Sequence, residues 1–262
     1  MSPLFAQDED DRGGDGCSTD INQAPLALET DRVPHAVAAG RRSLMQLRLE
    51  IERSCKSTTY SPVDVQKLSS DFYCKVGKRI FDLAGSVLLL VITSPIFLIV
   101  ALAIRLDSDG PVFFLQERTG RLGRRFLMYK FRTMIRDAEA FKDSLKHHNI
   151  HQADSPDFKI IADPRITRIG AFLRRTSLDE LPNLINVLRG DMSLVGPRPT
   201  SFHATTYKNH HLPRLAGKPG ITGLWQTSGR ATLSFDERVE LDVRYLNSVS
   251  LSYDVKLLMA TV

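Results

Sequence analysis

The spacing of apolar residues changes character several times along the chain. Residues 1–35 are polar, rich in Asp and Gly and without a sustained period, a pattern that predicts disorder. Leu44, Leu47 and Ile51 then recur at helical spacing, predicting a helix over 36–56 that reads as a loosely packed appendage. Residues 80–104, IFDLAGSVLLLVITSPIFLIVALAI, carry a single charge, Asp82. That length and apolarity meet the criterion for a membrane segment. Lys75, Lys78 and Arg79 precede it and Arg105 follows, so flanking charge sets no orientation. Ser94-Pro95 falls past its middle. The proline removes a backbone donor and predicts a kink, and a serine hydroxyl beside it can bond the freed carbonyl. A kinked complete span and a helix that bends at Ser94-Pro95 and returns to the same face both satisfy this pattern.

Beyond the apolar segment, residues 111–116 (PVFFLQ) read as a strand, 119–123 as a turn and 125–131 (RFLMYKF) as a second strand, a hairpin. Residues 133–146 suit a helix with Met134, Ala138, Phe141 and Leu145 on one face. Leu181, Leu184, Ile185 and Leu188 mark another helix with one buried face. Its start is ambiguous. Ser177 and Glu180 fit a capping box, whereas Pro182 is best placed as the first helical residue, which leaves Asp179 and Glu180 in the turn ahead of it.

Charge alters this picture. The 262 residues carry a formal +5, but residues 1–69 sum to −3 and residues 70–262 to +8. The basic part therefore suits an anionic partner: nucleotide, nucleic acid or lipid headgroup. Cys17, Cys55 and Cys74 are odd in number and widely spaced, and are read as reduced and without a chemical role. His147, His148 and His151 lack carboxylate or thiol partners and are read as loop histidines. The opening run is acidic rather than basic-then-apolar, so the active part is expected on the cytoplasmic side.

Candidate chemistry is densest over 162–199. Asp179 and Glu180 are adjacent, with Arg165, Arg168, Arg174 and Arg175 before them and Arg189 and Arg198 after. Adjacent side chains diverge, so one carboxylate can attack while the other holds a metal, and two neighbouring anions require a cation nearby. Gly196-Pro197-Arg198-Pro199 presents one arginine on a stiff backbone suited to phosphate. A basic run over 117–132, including Lys130 and Arg132, suits phosphates, lipid headgroups or RNA. Trp225, the sole tryptophan, lies in a loop ahead of Ser228-Gly229-Arg230, where it can stack on a base or anchor at a bilayer.

Together KRIFD (78–82), SP (94–95), GPVFFLQERTGRLG (110–123), KFRTM (130–134), SLDELPNLINVLRGDMSLVGPRP (177–199) and PGITGLWQTSGR (219–230) resemble the bacterial sugar transferase family, the monotopic phosphoglycosyl transferases. The resemblance covers residues 75 to 262, with the motifs in family order, and is closest to the exopolysaccharide-initiating branch. It implies an α+β, mostly helical fold: a re-entrant membrane helix over 75–109 broken at Ser94-Pro95, and a cytoplasmic catalytic domain over 110–262 with interfacial helices and a small hairpin. Residues 1–74 are then a polar, largely disordered extension. It implies a hexose-1-phosphate transferase of a bacterial inner membrane, using UDP-sugar (galactose or glucose) and polyprenyl phosphate with Mg²⁺. Asp179 is implied as nucleophile and Glu180 as a metal ligand. Arg174 and Arg198 are implied phosphate contacts, with Lys130, Arg132 and Arg230 as further substrate contacts. Lys78 and Arg79 match a basic pair at the membrane surface. Membrane lipid is a partner, nucleic acid is not, and homo-oligomerisation is left open. Two departures stand out. Members commonly continue with a basic tail past the position of Val262, whereas this sequence stops within LLMATV; and residues 1–74 hold no apolar stretch like the spanning helices of long members, which reads as a short form. The rival reading is a membrane-anchored basic module that binds nucleic acid or anionic lipid.

Overall fold

A computed structural model describes residues 36–56, 62–138, 140–141, 160, 163–228 and 233–261. Helices α1 (Ala36–Lys56) and α2 (Val65–Ser70) lead through a π-helical turn, Tyr73–Gly77, into the long α3 (Lys78–Asp107). The hairpin β1 (Phe113–Thr119) and β2 (Arg125–Phe131) follows, then α4 (Arg168–Thr176), α5 (Asn183–Arg189), β3 (Ser193–Val195), β4 (Gly220–Thr222), α6 (Leu224–Thr227), α7 (Phe235–Asn247) and α8 (Leu251–Met259). The described residues are thus mostly helical, with the antiparallel pair β1–β2 and a parallel pair β3–β4. The parallel pair was not legible in the sequence, because its strands are only three residues long.

Strand β2 falls where predicted, but β1 runs on to Thr119, opposite Arg125. Glu117 and Arg118 are therefore strand residues, and Thr119 continues the ladder onto Thr200 through its N–H at 2.9 Å. The helix predicted over 133–146 does not form at its start. Met134 bridges Ile166, and the Ile135 N–H bonds the Arg165 carbonyl. The segment stays extended because it packs on the first turn of α4, where any Cβ at Gly170 would collide with the Thr133 carbonyl. Residues 136–138 and 140–141 form turns, with the Ala140 N–H on the Asp137 carbonyl, and the rest of that predicted helix, His147, His148, His151 and residues 1–35 lie outside the described residues.

Helix α1 is not an appendage. Leu47, Ile51 and Cys55 are buried in the main core with Leu212, Leu215, Val243 and Leu246. Cys55 acts as a hydrophobe at the i+4 position after Ile51 and completes the buried stripe, and burial pushes its thiol up to about 11, consistent with an inert role. The expectation of a largely disordered 1–74 is corrected to this extent: α1, α2 and the turn at Tyr73–Gly77 are ordered and pack on the domain.

The break expected at Ser94-Pro95 is corrected: α3 runs as one helix from Lys78 to Asp107 with Pro95 inside it. The predicted compensation is present: the carbonyl that the proline leaves without a donor, Val91, accepts from Ser94 Oγ at 2.8 Å. One narrow stripe faces the protein, with Asp82, Ser86, Val100 and Ile104 buried. The rest is exposed and apolar, Val91 to 66% and Leu98 to 75%, where a soluble core helix would be covered. Both ends dock on the same body. Asp82 accepts from Ser193 Oγ and the Leu194 N–H, each at 2.9 Å, while Val100 and Ile104 pack with Phe131 and Leu173.

Candidate active site

The Asp179-Glu180 pair sits on a tight turn between two helices. Helix α4 ends at Ser177 in the left-handed region (φ 58°), a single 3₁₀ turn carries Leu178–Glu180, and Pro182 caps α5. This settles the ambiguity at the helix start in favour of the turn ahead of the proline. Ser177 makes no side-chain cap, so the capping box does not form. Leu178 and Leu181 pack into the Phe131–Leu173 cluster on either side of the pair, so apolar anchors fix the turn and leave both carboxylates to diverge.

Their surroundings differ. Glu180 accepts from Lys130 Nζ at 3.1 Å and Arg198 Nη1 at 3.0 Å, with a second, shorter bond from Arg198 Nη2. Burial alone would raise its pKa; Arg198 and Lys130 outweigh burial and hold it at about 2. Asp179 accepts no side-chain hydrogen bond among the described residues, and its nearest cation is Lys130 Nζ at 4.0 Å. Burial pushes its carboxyl above the ordinary range and the Glu180 charge adds to this, against Lys130 and Arg174. One carboxylate is locked by three hydrogen bonds and held ionised, while its neighbour keeps only a 4.0 Å contact to the same lysine.

Lys130 reaches the pair from β2, whose edge is clamped by Asn186 of α5. The Asn186 side chain accepts from the Tyr129 N–H at 2.9 Å and donates to the Leu127 carbonyl at 2.7 Å. Arg198 is held by its backbone. A Cβ at Gly196 would strike the Lys218 carbonyl, one at Gly220 would strike Gly196, and Arg214 donates to the Arg198 carbonyl at 2.9 Å. Arg118 of β1 also flanks the site. Burial and the charge of Arg198 bring its pKa down to about 10, and its Nε is buried without a partner. Sequence reasoning had Arg118 only within a basic run and missed Asn186. The alternation along β1, which points Arg118 to the same face as Gln116, was the available signal for the arginine.

Other predicted residues lie elsewhere. Arg174, at the end of α4, donates to Thr133 Oγ1 at 2.9 Å and adds positive charge beside Asp179. Arg132 is not at the site: it is buried on the C-terminal end of α3, donating to the carbonyls of Ser108 and Asp109, because that helix end needs a cation and acceptor-matched donors. Lys78 and Arg79 do not reach outward to a headgroup. Lys78 pairs with buried Asp254 at 2.5 Å, and Arg79 caps α5 through the carbonyls of Val187 and Leu188 at 2.6 and 2.7 Å. Trp225 is buried to 9% exposure beside Arg238, which removes the bilayer-anchor reading. Arg230 lies outside the described residues.

A cavity of about 390 Å³ opens from this site. Glu180 and Arg198 stand at its polar end, and Leu89 of α3, Leu181, Leu184 and Leu258 line its apolar length. A smaller cavity lies on the other side of Arg198, walled by Arg118, Arg214, Trp225 and Phe235. The site thus joins a charged recess to an apolar groove that meets the exposed helix.

Comparison with known proteins places these features in context. The family model described as bacterial sugar transferase matches residues 73–262. The chain is 48% identical over 188 residues to the galactosyl transferase CpsE of Streptococcus agalactiae, covering 71% of this chain and 41% of that protein. It is 44% identical over 187 residues to the undecaprenyl-phosphate galactose phosphotransferase of Salmonella typhimurium, covering 70% of this chain and 39% of that one. The exopolysaccharide production protein ExoY of Rhizobium meliloti, 36% identical over 190 residues, is covered to 84% of its length against 71% of this chain. The matched part spans about two-fifths of the first two relatives, and the match to the family model takes in the apolar helix, the carboxylate turn and the Gly196–Pro199 loop alike. On that extent of similarity, the chain belongs to the bacterial sugar transferase family.

Proposed function

We propose that this protein transfers a hexose-1-phosphate from a UDP-sugar to polyprenyl (undecaprenyl) phosphate, releasing UMP and opening exopolysaccharide synthesis at the cytoplasmic face of a bacterial membrane. The observation that carries this reading is the asymmetry of the carboxylate pair: Glu180 is neutralised by hydrogen bonds from Lys130 and Arg198, while Asp179 beside it has only the longer 4.0 Å contact to Lys130. An Asp179 oxygen attacks the sugar-bearing phosphorus, the bond from that phosphorus to the bridging oxygen breaks, and UMP leaves with the electron pair. An oxygen of polyprenyl phosphate then attacks the same phosphorus and Asp179 leaves as carboxylate. Splitting the transfer in this way lets two mutually repelling phosphates react in turn rather than together.

Mg²⁺ fits these residues. A carboxylate offers about four lone-pair positions, and Glu180 uses three of them on Arg198 and Lys130. The remaining position and the Asp179 oxygens are hard donors of the kind the ion takes alongside substrate phosphates. When bound, the ion offsets charge on the phosphate oxygens. Arg198, Arg118 and Lys130 supply the fixed positive field around the transferred group, which is most of what phosphoryl transfer asks of a protein.

The groove from Glu180 along Leu181 and Leu184 to Leu89 suits an acceptor with a phosphate head and an isoprenoid tail. The membrane placement is supported by α3. Its two ends pack on one polar body, and a helix crossing the ~30 Å hydrocarbon layer would separate them. A re-entrant helix keeps both ends on the cytoplasmic face. Relatives named for galactose and for glucose leave the hexose as either. The test is UMP release from UDP-galactose, UDP-glucose and their N-acetylated analogues by the full chain with polyprenyl phosphate and Mg²⁺. Asp179→Asn should abolish release and trap no phosphosugar on the protein; near-normal release by that variant overturns the covalent scheme.

A further inference from the structure

A cavity of about 520 Å³ lies at the base of α3, away from the carboxylate pair. Five cations and one acid line it: Lys75, Lys78, Arg79, Arg121, Lys218 and Asp82. Asp82 is already engaged by Ser193 and Leu194, and Lys78 by Asp254. Arg79 donates to two backbone carbonyls, which satisfy its hydrogens without cancelling its charge. Arg121 uses Nε on the Ala216 carbonyl at 3.1 Å, and its terminal nitrogens make no bond among the described residues. Lys218 is half-buried and makes no hydrogen bond or ion pair among them. Burial lowers its ammonium pKa, with the charges of Arg79 and Arg121 adding to this against Asp82 and Asp191.

Lys75, Arg79, Arg121 and Lys218 have no bonded carboxylate among the described residues and face the single charge of Asp82, an excess of positive charge in a half-buried recess that an anion would offset. The opposite wall is apolar, formed by Leu68, Leu246 and Val249. The cavity also adjoins the first exposed apolar residues of the membrane segment, Val76 and Ile80. A π-helical turn, Tyr73–Gly77, carries Cys74 and Lys75 into the wall, an irregular turn of a kind often found at functional sites.

We propose that this cavity binds a phosphate-bearing anion, the headgroup of an anionic phospholipid, gripped by Lys218 and Arg121 with Lys75 at its mouth. The same chemistry admits free phosphate, and the measurement separates the two sources. The site is distinct from the reaction centre: Arg79 stands on the C-terminal carbonyls of α5, and Asp179-Glu180 precede its other end. Bound there, a headgroup ties the protein to the lipid surface at the point where α3 enters it, independently of the transfer reaction.

Native mass spectrometry of the full chain in neutral detergent, titrated with phosphatidylglycerol or phosphatidylcholine, tests this directly. One phosphatidylglycerol should be retained and phosphatidylcholine should not. Lys218→Ala should weaken retention about tenfold, the usual worth of one charge-assisted contact. Lys75→Ala, at an exposed position, should weaken it less but measurably. A rise in Tm with inorganic phosphate at constant ionic strength, lost in Lys218→Ala and without lipid retention, identifies the free anion as the ligand of the same site. Equal retention of both lipids, or phosphatidylglycerol bound equally by wild type and both variants, overturns the proposal. UMP release is not the readout, so failure of the transferase reading leaves this result interpretable.

Discussion

Lys130 Nζ lies 3.1 Å from Glu180 Oε1, and this contact leaves the neighbouring Asp179 unlocked. Lys130 is partly buried, and this lowers its pKa against the pull of Glu180, so its charge depends on the partner it holds. Removing the ammonium leaves Glu180 with Arg198 alone and takes away the closest cation to Asp179. Lys130→Met should lower kcat by ~10²–10³, the range seen when a fixed charge donor near the transferred group is deleted. Steady-state UMP release with KM and kcat resolved separately checks this, and a change confined to KM counts against it.

The two carboxylates should also divide the pH profile. Glu180, at about 2, stays ionised throughout the working range. Asp179, raised by burial, must lose its proton to attack. Activity should therefore fall as pH drops through a single ionisation above the ordinary aspartate value of ~3.9. A kcat/KM profile with unit slope on its acid side is the expected result. In Lys130→Met that limb should move to higher pH, because a charge that favours the carboxylate is gone; an unmoved limb would show that another group controls it.

Much of this was legible in the sequence, and the exceptions share a cause. The apolar run and the hairpin were read from local pattern, length and alternation, and the fixed φ of Pro182 offered the carboxylate turn as one of two readings. What failed was any reading that needed to know which neighbour a charge meets. Lys78, Arg79 and Arg132 look like free cations in a basic stretch, but each satisfies a buried carboxylate or a helix end from a distant part of the chain. Leu47 and Ile51 look too few to anchor a helix until Cys55 joins them against the 3₁₀ helix Asn209–Ala216. Met134 and Phe141 have helical spacing, yet the Thr133 carbonyl packed over Gly170 holds the start of that segment extended.

Ser94 and Pro95 make a separate test of α3. The Ser94 hydroxyl satisfies Val91, so Ser94→Ala leaves that carbonyl without a donor in apolar surroundings, at a cost of about 1 kcal/mol. Replacing both residues, Ser94→Ala with Pro95→Leu, restores the backbone donor and favours a straight helix. The double variant should carry residues after 105 toward the opposite face in a fraction of molecules. Labelling an introduced cysteine at exposed Arg124 from each side of sealed vesicles reads this out, and one-sided labelling unchanged from the parent would remove Pro95 as a determinant of topology.

Arg214 and Asp242 form the most deeply buried ion pair among the described residues, 2.7 Å apart with side chains 4% and 1% exposed. Arg214 also stacks on Phe235 and fixes the Arg198 carbonyl, so stability and site geometry meet at one guanidinium. Burial raises the Asp242 carboxyl to about 6 despite Arg214. A carboxyl whose pKa is higher in the folded than the unfolded chain holds its proton longer when folded. Its contribution to stability is therefore complete below the ordinary aspartate range and is lost as pH rises to about 6. Arg214→Met strands Asp242 and should cost about 3–5 kcal/mol near neutral pH. The loss should shrink at pH 4, where Asp242 is protonated in the folded protein. Arg214→Met combined with Asp242→Leu should recover most of it, since no buried charge then remains. Denaturant unfolding of the parent protein and both variants in detergent at both pH values measures this. A single-variant loss that is independent of pH, or a double variant no better than the single, would assign the effect to the Phe235 stack and the Arg198 carbonyl rather than to the ion pair.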